Sequence, residues 1–211
     1  YHPAKVLYGS DYFDETYELA VKLIKKGLAY VCDLTPEETS KYRGDFNTPG
    51  IESPYRNRSV EENLELFKNM KEGKYREGER VLRAKIDMAS PNINMRDPVL
   101  YRILYISHHR TKDKWCIYPM YDFQNPIMDG YFNITHRFRT VEFEMASELH
   151  HYIRNILGLY DTYTYEFSRF NLEGMESSGR VIREKVNSGE LIGWDDPSLP
   201  TLRALKRRGF T

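Results

Sequence analysis

The chain has 211 residues, enough for one large domain or two small ones. Hydrophobic residues make up 40%, charged residues 29% and aromatic residues 14%, with 17 Tyr and 10 Phe, a mix that excludes disorder as the global state. Lys plus Arg and Asp plus Glu number 31 each, so the zero formal charge excludes a polybasic mode, and any nucleic-acid contact must come from local clusters.

Residues 10–30 open with a cap-type Ser10 or Asp11 and place acids in the first turn. Phe13, Leu19, Leu23 and Ile24 recur at helical spacing before Lys25, Lys26 and Gly27, so the segment is predicted to be an amphipathic helix. Leu28 to Val31 reads as a short strand. Thr35-Pro36-Glu37-Glu38 then carries a capping box with proline at the first helical position, which predicts a second helix. Gly44, Pro49, Gly50 and Pro54 mark a surface loop ending in Tyr55-Arg56-Asn57-Arg58. Ser59-Val60-Glu61-Glu62 repeats the capping signal, and Leu64, Phe67 and Met70 give a third helix closed by Gly73.

Val81 to Met88 alternates enough to be a strand with basic residues on one face, broken by Pro91. Pro98 to Ile106 and Lys114 to Tyr118 read as two further strands joined by the polar turn His108 to Asp113. Residues 120–135 are ambiguous, Val141 to Ile156 have helical periodicity, and Tyr163 to Phe167 reads as a buried strand. From Arg180 onward, seven basic residues stand against four acids. Helices and strands interleave, which is the α/β class.

Cys32 and Cys116 lie far apart without a Cys or His pattern, which excludes a disulfide framework or zinc site and predicts buried free thiols. No apolar run approaches the ~18 residues that span a bilayer, and no secretory signal opens the chain, so a soluble cytosolic protein is expected. The first residue is Tyr1 and not methionine, so a processed product or a piece of something longer is expected. His150 and His151 do not share a helical face, so they are read as surface histidines and no metal is expected. No phosphate-loop, dinucleotide or nucleophile-elbow motif is present. Two features remain. Arg56, Arg58, Arg83 and Lys85 suit phosphate contacts or a solvated face. Tyr121 follows a strand into a Pro-marked break, where ligands sit in α/β sheets.

Longer words go beyond spacing. LRAKIDMASP (Leu82 to Pro91), MRDPVLYR (Met95 to Arg102), WCIYPMYDF (Trp115 to Phe123), GWDDP (Gly193 to Pro197), SPYRNRSVEENL (Ser53 to Leu64) and RRGFT (Arg207 to Thr211) occur in order over nearly the whole chain. They closely resemble the glutaminyl-tRNA synthetase family of class I synthetases. The resemblance implies an α/β fold, the second half of a nucleotide-binding, Rossmann-like catalytic domain carrying an inserted α/β domain that grips the tRNA acceptor end. The expected divisions are 1–14 as an edge of the catalytic fold, 15–115 as the insert and 116–211 as the second catalytic half.

The implied activity is ATP-dependent activation of glutamine, with Mg2+ accompanying ATP, and transfer to the 3′ end of tRNA by a monomeric enzyme. By position, Tyr121 and Asn125 match glutamine-binding residues, and Thr140, Arg169, Phe170, Ser178 and Gly179 match ATP-binding ones. Arg180 matches the cation of the catalytic loop at 177–180, while Arg56, Arg58, Arg83 and Lys85 are the tRNA-contact candidates. Several positions depart from the family. No His-Ile-Gly-His element occurs in the 211 residues, the loop lysine is Gly179, a pocket histidine is Asn125, and an acidic acceptor-reading position is Met145. Three readings follow: a ligase whose site is completed by further chain, a synthetase-like RNA-binding module without activation chemistry, and a glutamate-specific relative.

Overall fold

The computed structural model describes residues 2–3, 5–168 and 172–210 and divides into two compact units, 1–167 and 168–211. In the first unit, α1 (Phe13–Lys25) places Phe13, Tyr17, Ala20, Leu23 and Ile24 on one buried face. Its start differs from the expected cap, because a 3-10 turn over Gly9–Tyr12 precedes it and Thr16 Oγ1 donates back to the Tyr12 carbonyl at 2.8 Å. Next come β1 (Ala29–Cys32) and α2 (Pro36–Arg43), whose predicted capping box closes with Glu38 N to Thr35 Oγ1 at 3.2 Å and Thr35 N to Glu38 Oε2 at 2.9 Å. Ser59 likewise caps α3 (Val60–Lys71).

Three further strands, β2 (Val81–Ala84), β3 (Val99–Ile103) and β4 (Ile117–Pro119), join β1 in an antiparallel sheet of order β1-β2-β3-β4. The sheet crosses residue 115, since Ile103 on β3 pairs with Ile117 on β4. β2 ends four residues earlier than the alternation suggests. Beyond Ala84 the buried Asp97 accepts from Ile86 N at 2.8 Å and draws the chain out of the ladder. The edge strand β1 is closed by α3: Asn63, itself buried, accepts from Val31 N at 2.8 Å and donates to the carbonyls of Arg58 and Ser59. Leu82, Leu100, Tyr101 and Ile117 pack on Phe67 and Met70, with Tyr17 stacked on Phe67 at 4.8 Å between centroids.

The ambiguous stretch 120–135 is largely helical, as α4 (Tyr121–Tyr131), with Pro126 inside it. Proline removes one helical hydrogen bond, and burial of Phe123 and Ile127 against Leu149, Ile153 and Leu157 of α5 (Glu144–Leu157) offsets the loss. Gly130 is required there, because a Cβ would lie 2.8 Å from the Leu159 side chain and 2.9 Å from the Tyr160 carbonyl. α5 ends on Gly158 at φ 71°, the left-handed cap that glycine adopts freely.

Between and after these helices lie β5 (His136–Thr140) and β6 (Tyr163–Phe167), which pair in parallel from His136↔Tyr163 to Thr140↔Phe167. The expectation of a buried strand at 163–167 is corrected here. Tyr163, Tyr165 and Phe167 are exposed, as is Phe138 at 68%. Period-two alternation turns these aromatics to one face and Arg137, Arg139, Thr164 and Glu166 to the other, toward α4 and α5.

The second unit is small. α6 (Gly179–Asn187) and α7 (Leu202–Arg207) enclose Ile182, Leu199 and Ala204, with Thr201 capping α7 through Ala204 N at 3.1 Å.

Candidate functional site

The candidate site lies where β4 gives way to α4 and where β5 ends. Tyr121, the first residue of α4, is 57% exposed, and its ring lies 6.4 Å from that of Phe143 and 6.1 Å from that of His150. Asn125 stands one turn along the same helical face. Thr140 is the last residue of β5 and leads into the 3-10 turn Val141–Phe143, three residues before Phe143. The fold therefore gathers Tyr121 and Asn125 on α4 with the β5–α5 junction, at the carboxyl ends of their strands, where α/β proteins bind ligands.

Beneath this wall is a polar network whose centre the spacing argument misread. His151 is exposed and pairs with Asp161 at 2.9 Å, as a surface histidine does, but His150 is 0% exposed. Its Nδ1 lies 3.0 Å from Arg137 Nη1 and 3.4 Å from Arg139 Nη1. Guanidinium groups only donate, so Nδ1 is the acceptor and Nε2 carries the proton it donates to Asp122 Oδ1 at 2.9 Å. Burial pulls the His150 pKa below the ordinary histidine value, the Asp122 hydrogen bond opposes this, and Arg137 adds to the lowering. His150 is thus neutral. The signal for its burial was in the sequence: His150 falls beside Leu149 and three before Ile153 on the apolar face of α5.

Arg137 is held on several sides. Its Nη1 contacts Asn125 Oδ1 at 3.0 Å and Asp129 Oδ2 at 2.9 Å, and Nη2 donates to Thr164 Oγ1 at 2.9 Å. Burial and the neighbouring Arg139 lower its pKa, with Asp129 opposing, and a guanidinium stays cationic throughout the working pH range. Arg139 pairs with Glu166 at 3.0 Å, donates to the Phe143 carbonyl at 2.7 Å, and joins Ser147 and Glu166 in a shared hydrogen-bond cluster. Neither arginine was singled out from the sequence, because alternation in a strand does not say which charged residues meet partners.

The four tRNA-contact candidates occupy a different region, and three of them face inward. Arg56 Nε donates to Asp97 Oδ2 at 2.7 Å, and its Nη1 reaches Glu52 at 2.9 Å. Arg83 donates to the Asp97 carbonyl at 2.8 Å and to Thr39 Oγ1 at 3.0 Å. Tyr30 completes the hub with its hydroxyl 3.1 Å from Asp97 Oδ2, and burial, then Asp97, drive that phenol far above its usual pKa. Arg58 grips Asp33 with both terminal nitrogens at 2.8 and 2.7 Å. Lys85 is half-buried and donates to Asn57 Oδ1 at 3.1 Å.

In the second unit, Ser178 precedes α6 without a side-chain cap, Gly179 opens it with nothing within 4 Å of an added Cβ, and the Arg180 side chain is 84% exposed, 3.9 Å from Glu184. Arg169 and Phe170 lie outside the described residues. Both cysteines are free; Cys32 is buried, whereas Cys116 is only half-buried and donates to the carbonyls of Met70 and Lys71.

Comparison with known proteins gives the family of the chain. The family model for class I tRNA synthetases (E and Q), catalytic domain, matches residues 1–211. The glutamine–tRNA ligase of Clostridium perfringens is 51% identical over 212 residues, covering 100% of this chain and 38% of the relative. That of Pseudomonas putida is 52% identical over 207 residues, covering 98% and 36%. The crystal structure of a glutamate tRNA ligase from Elizabethkingia meningosepticum in complex with its amino acid superposes with a TM-score of 0.50 at 19% identity, over 89% of this chain and 38% of that one, which speaks to the fold alone. The chain thus spans less than two fifths of the length of these curated relatives. With the family model matched from end to end and half the residues shared with its curated members, the chain belongs to the class I tRNA synthetases of the glutamate and glutamine group, within their catalytic domain.

Proposed function

We propose that the chain supplies the acceptor-end-binding insert (about 15–115) and the second half of the catalytic domain (about 116–211) of a monomeric, cytoplasmic glutamine–tRNA ligase. The observation that carries this reading is the accessible wall of Tyr121 and Asn125 at the β4–α4 junction, in a chain half identical to glutamine–tRNA ligases. Two free cysteines fit a reducing compartment. No helix among the described residues is long and apolar enough to cross a membrane.

In this reading a glutamine carboxylate oxygen attacks the α-phosphorus of ATP and pyrophosphate leaves. The terminal ribose hydroxyl of the tRNA then attacks the acyl carbon and AMP leaves. No protein nucleophile is needed; alignment and charge stabilisation perform the work. Tyr121 and Asn125 hold the amino-acid side chain. By resemblance, Thr140 in the first unit and Ser178 and Gly179 in the second are ATP-binding positions, as are Arg169 and Phe170, which lie outside the described residues; Arg180, whose side chain is 84% exposed, is the catalytic-loop cation suited to phosphate oxygens. Mg2+ would travel with the phosphates of ATP. On the insert, Lys85 offers an ammonium to the acceptor end, while Arg56, Arg58 and Arg83 shape that surface from within.

The test is aminoacylation by the complete natural polypeptide with glutamine or glutamate as the sole amino acid. Glutamine-dependent charging is expected, and charging with glutamate alone overturns the reading. Gly179 favours the second reading, an RNA-binding module without activation chemistry. Nothing lies within 4 Å of its Cβ position, so Gly179→Lys is accommodated and should raise adenylate formation ~10²–10³-fold if that one donor is what the loop lacks. No gain, together with salt-sensitive hairpin binding, selects the module.

A further inference from the structure

We infer that Arg137 is a positioning residue that decides which end of the Asn125 amide faces the substrate side chain, an inference that rests on the glutamine-site reading of Tyr121 and Asn125. Arg137 Nη1 lies 3.0 Å from Asn125 Oδ1. Because a guanidinium has donors only, the amide oxygen must face it and the amide nitrogen must face away. Asn125 is half-buried, and among the described residues its Nδ2 has no hydrogen-bond partner and is not sealed from solvent. Four residues earlier on the same helical face stands the exposed hydroxyl-bearing ring of Tyr121. The wall therefore offers a phenol O–H and an amide N–H, the complement of a carbonyl oxygen at the end of a substrate side chain.

Arg137 cannot swing off this task. Thr164 Oγ1 at 2.9 Å holds Nη2, while the two protons of Nη1 are shared among Asn125 Oδ1, Asp129 Oδ2 at 2.9 Å and the buried His150 Nδ1 at 3.0 Å, and His150 is fixed in turn by Asp122 at 2.9 Å. Without a donor at Oδ1, either end of the Asn125 amide could face outward, and an outward oxygen would repel a substrate carbonyl.

The test measures equilibrium binding of L-glutamine and of L-norvaline, which keeps the aliphatic chain but lacks the carboxamide, to the complete natural polypeptide and two variants. Arg137→Lys keeps a cation beside Asp129 but loses the fork. Asn125→Asp keeps an acceptor toward Arg137 and replaces the outward donor by an oxygen. Each should weaken glutamine by about tenfold, leave norvaline within about twofold, and combine to a loss little larger than either alone, since both act through one contact. Equal losses for the two ligands, or unchanged glutamine binding, overturn the inference. If Arg137→Lys does not fold, the selective loss in Asn125→Asp decides. Failure of the unaltered polypeptide to bind glutamine is a separate result, and it removes the proposed function together with this inference.

Discussion

The antiparallel sheet β1–β4 and the parallel pair β5–β6 belong to one unit and are built on opposite terms. The first is covered by α1 and α3, its edge strand is capped by Asn63, and Phe67, Met70 and Leu82 are fully buried. The second has two strands, one face covered by α4 and α5 and filled with ion pairs, the other carrying Phe138, Tyr163, Tyr165 and Phe167 in the open. Parallel strands are ordinarily covered on both faces. The antiparallel region is stabilised by apolar burial, so it tolerates polar change only at its rim. The parallel pair is organised by electrostatics on one side, so its geometry depends on charge and pH.

The largest effects should come from the antiparallel region. Phe67→Ala removes a ring with no exposed surface, stacked on Tyr17 and edge-on to Tyr101 at 5.3 Å, and is expected to cost ~3–5 kcal/mol, read as a fall in the denaturant midpoint. Asp97→Ala strikes the polar hub, leaving Arg56 and Tyr30 without their buried partner; breaking a buried pair costs a similar ~3–5 kcal/mol. Arg56→Met with Asp97→Leu should recover much of that loss, because an apolar replacement removes both charges of the pair together. A double variant as unstable as the single one would show that the Asp97 backbone, at φ 41°, and its hydrogen bond to Ile86 matter more than the ion pair.

An intermediate effect belongs to the charged side of the parallel pair. His150 has its pKa lowered by burial, so the unfolded chain binds a proton more readily than the folded one. Its contribution is fully present above the unfolded value near ~6.5 and falls away as pH drops through that value. The groups facing it are Asp122, Arg137 and Arg139, and two nearby cations raise the cost of adding a third. His150→Gln should flatten the dependence of unfolding free energy on pH between ~7 and ~5, and an unchanged slope would assign it to other groups.

The antiparallel region was legible because its signals are local. The Thr35 and Ser59 caps, the proline at Pro36 and the strand patterns each need only neighbouring residues. α4 is ambiguous in the sequence because proline and glycine disfavour helix interiors, whereas in the fold Pro126 is buried within α4 and Gly130 admits Leu159. Tyr121 is marked both by the Pro break after a strand and by resemblance, and Asn125 by resemblance alone, but nothing in the sequence marks the Arg137–His150 network beneath them as a unit. Its members come from α4, β5, α5 and β6, and no spacing rule joins residues through a fold. Arg56 and Arg83 show the converse: a position beside an aromatic for one and in a strand for the other suggests phosphate contacts or a solvated face, and Asp97, 41 and 14 residues away, turns them inward.

The smallest expected change is also the sharpest probe of the contrast between the two sheets. Phe138 is 68% exposed, and its ring lies 5.9 Å from that of Tyr165 on the open face. Removing an exposed ring loses little burial, so Phe138→Ser should shift the unfolding free energy by no more than about 0.5 kcal/mol, roughly a tenth of the Phe67→Ala loss. The same change shrinks an exposed aromatic patch and should lower self-association, read by light scattering at rising concentration. A loss at Phe138 approaching that at Phe67 would mean that the open face is covered in solution. In that case the parallel pair would owe its stability to apolar burial after all, and the pH dependence through His150 would be a minor part of it.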